Sequence, residues 1–234
     1  MTTDKTKRAI EGNGFRNLLF FLLLYIVGSP FLVPYASLAI FAHLSLSIAL
    51  FAAVYAVNRR KNQRSIAITL LLPLLILYWL GLYDIISFSR FGAHLLFAVY
   101  YGLLIYSFIS QIMSAERVST NVLFATFSLY LIIGLFWGSF YSLLYQISPG
   151  AYGGALLENA DSTFHTFNYF SFVTLTTLGY GDITPQTAGA ASLCQMEAIV
   201  GQFYTAVVVA WFVGMHVSNR HDIEVAEMKS SLKK

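Results

Sequence analysis

The sequence predicts an all-α membrane protein: six transmembrane helices, with a re-entrant helix and a non-helical return path between the fifth and the sixth. Three observations predict it. Of 234 residues, 57% are hydrophobic and only 11% charged, and the mean hydropathy is +0.67; soluble domains carry about 25% charged residues, so a water-facing surface could not be covered. Six segments are apolar over the roughly 20 residues that a bilayer crossing needs. Between the last two lies a stretch too apolar for a solvated loop, and it ends in "TLGYG", which its two glycines keep from continuing as a helix.

The same composition excludes several classes. The net charge of +3 is small and the basic residues are scattered, so nucleic acid is not a partner. Cys194 is the only cysteine, which rules out a disulfide within the chain and a cysteine metal cluster, and reads as a small apolar side chain in a helix. The basic N-terminus precedes an apolar run too long for a secretory signal core and without a clean small-residue cleavage site, so it is read as the first span.

The spans are Phe15–Val33, Tyr35–Val57, Ser65–Tyr83, Phe91–Met113, Thr120–Gln146 and Ala188–Val217. Pro30 and Pro34 bracket a tight first turn, and Pro73 should kink the third span. Placing the N-terminus in the cytoplasm puts every one of the 14 Lys and Arg residues except Arg90 on the cytoplasmic side. By the positive-inside rule both termini are therefore cytoplasmic. Arg59, Arg60, Lys61 and Arg64 form a basic cluster that anchors this topology and can attract anionic lipid headgroups. The segment 147–187 then lies on the outer side. Within it Ser162–Leu175 has the length to dip into the membrane as a helix, with Asp161, Ser162 and Thr163 as N-cap candidates.

The return path reads Thr177, Leu178, Gly179, Tyr180, Gly181 and Asp182. Irregular backbone at membrane depth is tolerated only where protein buries it or it lines a watery cavity. On these residues the chain resembles the potassium-channel family. The resemblance implies a tetrameric pore in which backbone carbonyls of Thr177, Leu178, Gly179, Tyr180 and Gly181, with the Thr177 hydroxyl, replace the hydration shell of K+. It implies no cofactor beyond the permeant K+, a homotetramer in contact with membrane lipids, and a location in the cell membrane. Gly179 and Gly181 allow backbone conformations that let successive carbonyls face one axis, while Leu178 and Tyr180 point outward to pack against the re-entrant helix. Leu178 departs from the Val or Ile most common at its position. Tyr169 and Phe170 stand where many members have a tryptophan pair. Tyr169, thirteen residues before Asp182, is expected to bond that carboxylate and steady the filter.

The sixth span resembles the inner helix of bacterial two-helix pore modules. Gly201, nineteen residues after Asp182, matches the glycine that the family uses as a gating hinge; close packing against the re-entrant helix is an equal reading. Glu197 lies one turn earlier on the same face. An intramembrane carboxylate is costly and usually functional, and a supporting bond behind the filter is favoured over solvation near the outer end.

The layout predicts a cytoplasmic N-terminus (1–14), a four-helix voltage-sensor-like domain (15–113), a linker (114–119), a pore domain (120–217) and a cytoplasmic tail (218–234). The pore domain divides into an outer helix (120–146), a pore helix (162–175), the filter (177–181) and an inner helix (188–217). The fourth span has no Lys or Arg, so the voltage sensor of the resemblance is not carried over and weak voltage dependence is expected. The short tail leaves no readable effector domain; the opening stimulus falls to tension, lipid, pH or a separate regulatory subunit. His43, His94 and His165 lack the one-turn spacing of a metal or haem site, and the first two read as packing residues ahead of proton sensors; His165 is placed at the wet outer end of the re-entrant helix. A membrane enzyme or carrier built on them is the reading from another class.

Overall fold

The computed structural model describes residues 13–33, 35–57, 61–83, 88–115, 119–158 and 163–231, with backbone alone at 36, 61, 62, 158, 163 and 215–231. The helices are α1 (Gly14–Leu32), α2 (Ala36–Ala56), α3 (Lys61–Leu82), α4 (Ser89–Ile112), α5 (Thr120–Ile147), the short α6 (Ala155–Glu158), α7 (Thr163–Leu175) and α8 (Ala188–Ser231). Two-residue strands β1 (Tyr152–Gly153) and β2 (Thr184–Pro185) pair antiparallel across the segments flanking α7.

Six of these helices, α1 to α5 and residues 188–214 of α8, are long and apolar enough to cross a membrane. A helix satisfies its own backbone, which is what a bilayer demands. Their outward faces carry Phe20, Val27 and Phe31 on α1, Phe41, Ile48 and Phe51 on α2, and Leu72 and Ile76 on α3, all exposed. Such rows suit lipid and not water. Their inward faces meet at Leu18, Leu22, Leu46, Leu50, Leu74, Phe97 and Leu104. Polar side chains on the inner faces spend their bonds locally: Tyr100 donates to the Leu50 carbonyl at 2.8 Å, and Gln111 to the Ala56 carbonyl in the last turn of α2 at 3.2 Å, satisfying one of the orphan acceptors there.

Several boundaries differ from the sequence expectation. Pro30 lies inside α1 and does not mark its end; Pro34, Asp161 and Ser162 lie outside the described residues. α3 runs on through Pro73. α4 begins two residues early and takes in Arg90, whose Nε donates to the Gly81 carbonyl near the end of α3 at 3.3 Å. α8 does not stop at Val217 but continues as one helix to Ser231, so the expected tail is largely its extension. The basic cluster's Arg59 and Arg60 lie outside the described residues.

α5 is capped by Ser119, whose side chain accepts from the Val122 amide. It packs against α1, α4 and α7 of its own chain. The physical reason is reach: the chain between Met113 and Thr120 can span at most about 25 Å, which holds α4 beside α5. α7 lies in a groove of α5 where Gly134 and Gly138 replace side chains; a Cβ at Gly134 would overlap the Phe172 ring and one at Gly138 would overlap Asn168. The first four helices reach α7 directly. Asn168 donates to the Tyr25 hydroxyl at 3.3 Å, Ser29 Oγ lies 3.4 Å from His165 Nδ1, and Phe97 stacks on Phe164 at 5.2 Å.

Gly138→Ala is expected to lower the thermal midpoint of the purified protein, because overpacking at a closed contact costs about 1–3 kcal/mol. Gly102→Ala, whose added Cβ would meet Phe136 at an ordinary 3.6 Å, should be neutral or stabilising. Equal melting of the two variants would contradict the packing assigned to Gly138.

Candidate functional site

The backbone after α7 turns back on the helix it leaves. The amide of Thr177 donates to the Thr174 carbonyl at 2.9 Å, and the amides of Leu178 and Gly179 both donate to the Val173 carbonyl, at 2.9 and 3.3 Å. The chain has no cis peptide among the described residues, and in a trans peptide the C=O of one residue points opposite the N–H of the next. The carbonyls of Thr176, Thr177 and Leu178 therefore all face away from α7, a direction that successive carbonyls of a regular strand cannot share. Thr177, Gly179 and Gly181 have φ of 58°, 61° and 78°, whereas Leu178 and Tyr180 between them do not have positive φ. Alternation of hand at every residue is what keeps successive peptide planes turned the same way. Glycine takes the positive values freely. Thr177 is β-branched and does so against its preference, the kind of backbone outlier that concentrates at functional sites.

The far end of this stretch is held at two places. Tyr169 Oη donates to Asp182 Oδ2 at 2.5 Å, and Asp182 Oδ1 accepts from the Ile183 amide at 3.0 Å. Just beyond, β2 pairs with β1 in the register Tyr152↔Pro185 and Gly153↔Thr184, and the Gln186 amide donates to the Ala151 carbonyl at 2.8 Å. Phe170, next to Tyr169, is buried with its ring 5.0 Å from Tyr141 and 5.7 Å from Tyr152.

Behind α7, Glu197 of α8 is fully buried. The Tyr141 hydroxyl of α5 donates to one of its carboxyl oxygens and the Ser171 hydroxyl of α7 to the other, while Ser171 Oγ also lies 2.6 Å from the Gly134 carbonyl. Three helices meet on one carboxyl group whose partners are neutral hydroxyls. Its neighbour on the helix, Cys194, packs against the core as a half-buried side chain.

One turn further along α8, Gly201 is buried against the end of α7: a Cβ there would overlap the Leu175 carbonyl oxygen. This is the packing reading of Gly201, and α8 passes through it without interruption. Next to it, Gln202 Nε2 donates to Thr177 Oγ1 at 3.1 Å. The site thus gathers Tyr169, Asp182, Glu197 and Gly201 around Thr177–Gly181, and adds Tyr141, Ser171 and Gln202, which the sequence reading did not single out. Gln202 carried a signal, being an amide in an apolar span beside a noted glycine; Tyr141 and Ser171 did not stand out among many aromatics and serines.

Two placements differ from expectation. Leu178 and Tyr180 do not pack against α7 within their own chain; they are 55% and 67% exposed. His165 is not at a wet end but lies among Tyr25, Ser29 and His43, its ring 5.9 Å from that of His43. His43 Nδ1 lies 2.6 Å from the Tyr78 hydroxyl, and His94 sits against Phe164 at 5.1 Å. Among the described residues no group of three His, Cys, Asp or Glu side chains is arranged to hold a metal.

Residues 120–217 match the family model described as "Ion channel", which covers α5, α7, the return path and residues 188–217 of α8, and leaves the first four helices unmatched. No curated protein and no solved structure matches the chain.

The contacts at Glu197 generate a stability test. Glu197→Gln keeps an acceptor for Tyr141 and a polar partner for Ser171, whereas Glu197→Ala leaves Ser171 only the Gly134 carbonyl and strands the Tyr141 hydroxyl in the interior at about 1–3 kcal/mol. The alanine variant is expected to melt well below the glutamine variant in matched detergent. Identical midpoints would mean that the carboxyl group does not join the three helices.

Proposed function

We propose that four copies of this chain form a passive, potassium-selective channel in the cell membrane, with Thr177–Gly181 of each copy lining a shared axis. The observation that carries this reading is the common direction of the Thr176, Thr177 and Leu178 carbonyls, continued through Gly181 by alternating φ. A K+ ion shedding its water needs several oxygen dipoles around it at once. One chain offers a single column of them, and a ring of four columns supplies a cage. The ligands are the carbonyls of Thr177, Leu178, Gly179 and Tyr180 with the Thr177 hydroxyl, Gly181 closing the outer end; no cofactor is required and no bond is made or broken.

The surfaces left open by one chain support the fourfold assembly. α5 is 67% buried within its own chain, but the spanning part of α8 is 11% buried. Met196, Ile199, Phe203, Val207 and Val213 are exposed there together with Leu178 and Tyr180, so both the inner helix and the outward side chains of the filter take their partners from neighbouring copies. Tyr169 and Asp182 steady the filter from outside, Glu197 supports it from behind, and Gly201 holds α8 against the pore helix. Lipid surrounds α1 to α3, and the opening stimulus comes from lipid, tension or a separate regulatory subunit.

The channel is largely voltage-independent. Moving one charge through 100 mV is worth about 2.3 kcal/mol, and a steep sensor moves three or four per subunit. α4 carries only Arg90, in its first turn and bonded to Gly81.

Purified protein in liposomes is expected to pass K+ down its gradient and to exclude Na+ at least tenfold; equal passage of the two ions would leave a non-selective cation channel in its place. In planar bilayers the conductance should change shallowly with voltage, and a curve requiring several gating charges would remove the voltage-independent reading. Tyr169→Phe, which deletes the donor to Asp182, should speed loss of current during sustained opening. An unchanged rate would show that this bond does not steady the filter.

A further inference from the structure

The conducting reading, on which this inference rests, leaves one contact unused: the bond from Gln202 to Thr177. Three threonines stand in sequence near the base of the filter, and two of them turn their hydroxyls back into the pore helix. Thr174 Oγ1 donates to the Phe170 carbonyl at 2.9 Å, and Thr176 Oγ1 to the Phe172 carbonyl at 2.6 Å. Thr177 is different. Its hydroxyl oxygen receives the Gln202 amide from α8 at 3.1 Å, across the narrow gap that Gly201 leaves beside Leu175. The neighbouring polar groups on α8 are engaged elsewhere: Thr205 bonds the carbonyl of Gln202 at 2.9 Å, and Tyr204 donates to the Thr126 carbonyl of α5 at 2.6 Å. Among the described residues, Gln202 is the α8 side chain bonded to the filter.

A hydroxyl has one proton and two lone pairs. To serve as an ion ligand, Thr177 must keep a lone pair on the ion path and must not fold back as Thr174 and Thr176 do. An amide N–H bonded to its other lone pair imposes that orientation. We propose that Gln202 is a positioning residue for the innermost cation site, holding the Thr177 hydroxyl as a ligand and making that site depend on where α8 stands. A hydrogen bond at 3.1 Å is lost within a few tenths of an ångström of further separation. A shift of the inner helix therefore releases the Thr177 side chain before it alters the backbone carbonyls above. By linkage, a cation seated at Thr177 favours the α8 position that keeps the bond.

The probe is Ba2+, a doubly charged cation close to K+ in size, applied to the cytoplasmic face of the full-length protein conducting K+ in planar bilayers. Gln202→Met keeps the length of the side chain and removes the donor. Block by internal Ba2+ is expected to weaken about tenfold, the worth of one orienting hydrogen bond. Thr177→Val should weaken it at least as much, and the double variant should lose nothing beyond Thr177→Val. Where the methionine variant does not assemble, Gln202→Asn, one methylene too short to reach, is expected to show the same loss. Unchanged block in the Gln202 variants, or losses that simply add in the double variant, would overturn the positioning role while native K+ current persists. Absence of any current from the native protein would instead overturn the conducting reading, and this one with it.

Discussion

Three amide groups set the character of this molecule. Those of Thr177, Leu178 and Gly179 return to the carbonyls of Thr174 and Val173 at the end of α7. Inside a membrane an unpaired backbone donor is expensive, and the last turn of a helix offers unpaired acceptors. The two needs are met together. Once the N–H groups are spent on the helix, the carbonyls of the same peptides have no choice but to face the other way, and a row of acceptors stands clear of α7 with its own amides paired.

That arrangement requires α7 to be held firmly, and most of the surrounding structure does so. α5 supplies a groove by omitting side chains at Gly134 and Gly138. Glu197 joins α5, α7 and α8 through Tyr141 and Ser171. A buried carboxyl group bonded to two hydroxyls is worth little to stability relative to a well-packed apolar side chain. Its value lies in direction, since only one relative placement of three helices brings both donors to it. Tyr169 with Asp182, and the β1–β2 pairing, apply the same constraint at the outer end.

The four N-terminal helices belong to this support. Tyr25, Ser29 and Phe97 reach α7 of their own chain, and His43, His94 and His165 lie in that junction, beside Tyr78, Phe164 and Ser29. The buried face of α4 is mostly apolar, with Phe97, Tyr100, Leu104 and Phe108, and sets Ser89, His94, Ser107 and Gln111 among them; the one Lys or Arg of the helix is Arg90, exposed in its first turn. These helices therefore pack against α7 and help to fix its place.

What the sequence determined by itself is whatever depends on local chemistry. Apolar run length sets the six spans, and the two glycines of Thr177–Gly181 allow positive φ, while the bond from Tyr169 to Asp182 was legible only through the resemblance that the Thr177–Asp182 stretch carries. Helix ends were less legible: Arg90 entered α4 because a carbonyl of α3 was there to receive it, and α8 ran past Val217 to Ser231 because nothing in its polar end breaks a helix. Only the tertiary structure decided which side chains meet across distant segments. Glu197 finds Tyr141 and Ser171 across 56 and 26 residues, Gln202 finds Thr177 across 25, and His165 is enclosed by α1 and α2. The reason is that periodicity reports which face of a helix is apolar, while the angle and depth at which two helices cross, and hence the partner of each polar group, are settled by packing over their whole length.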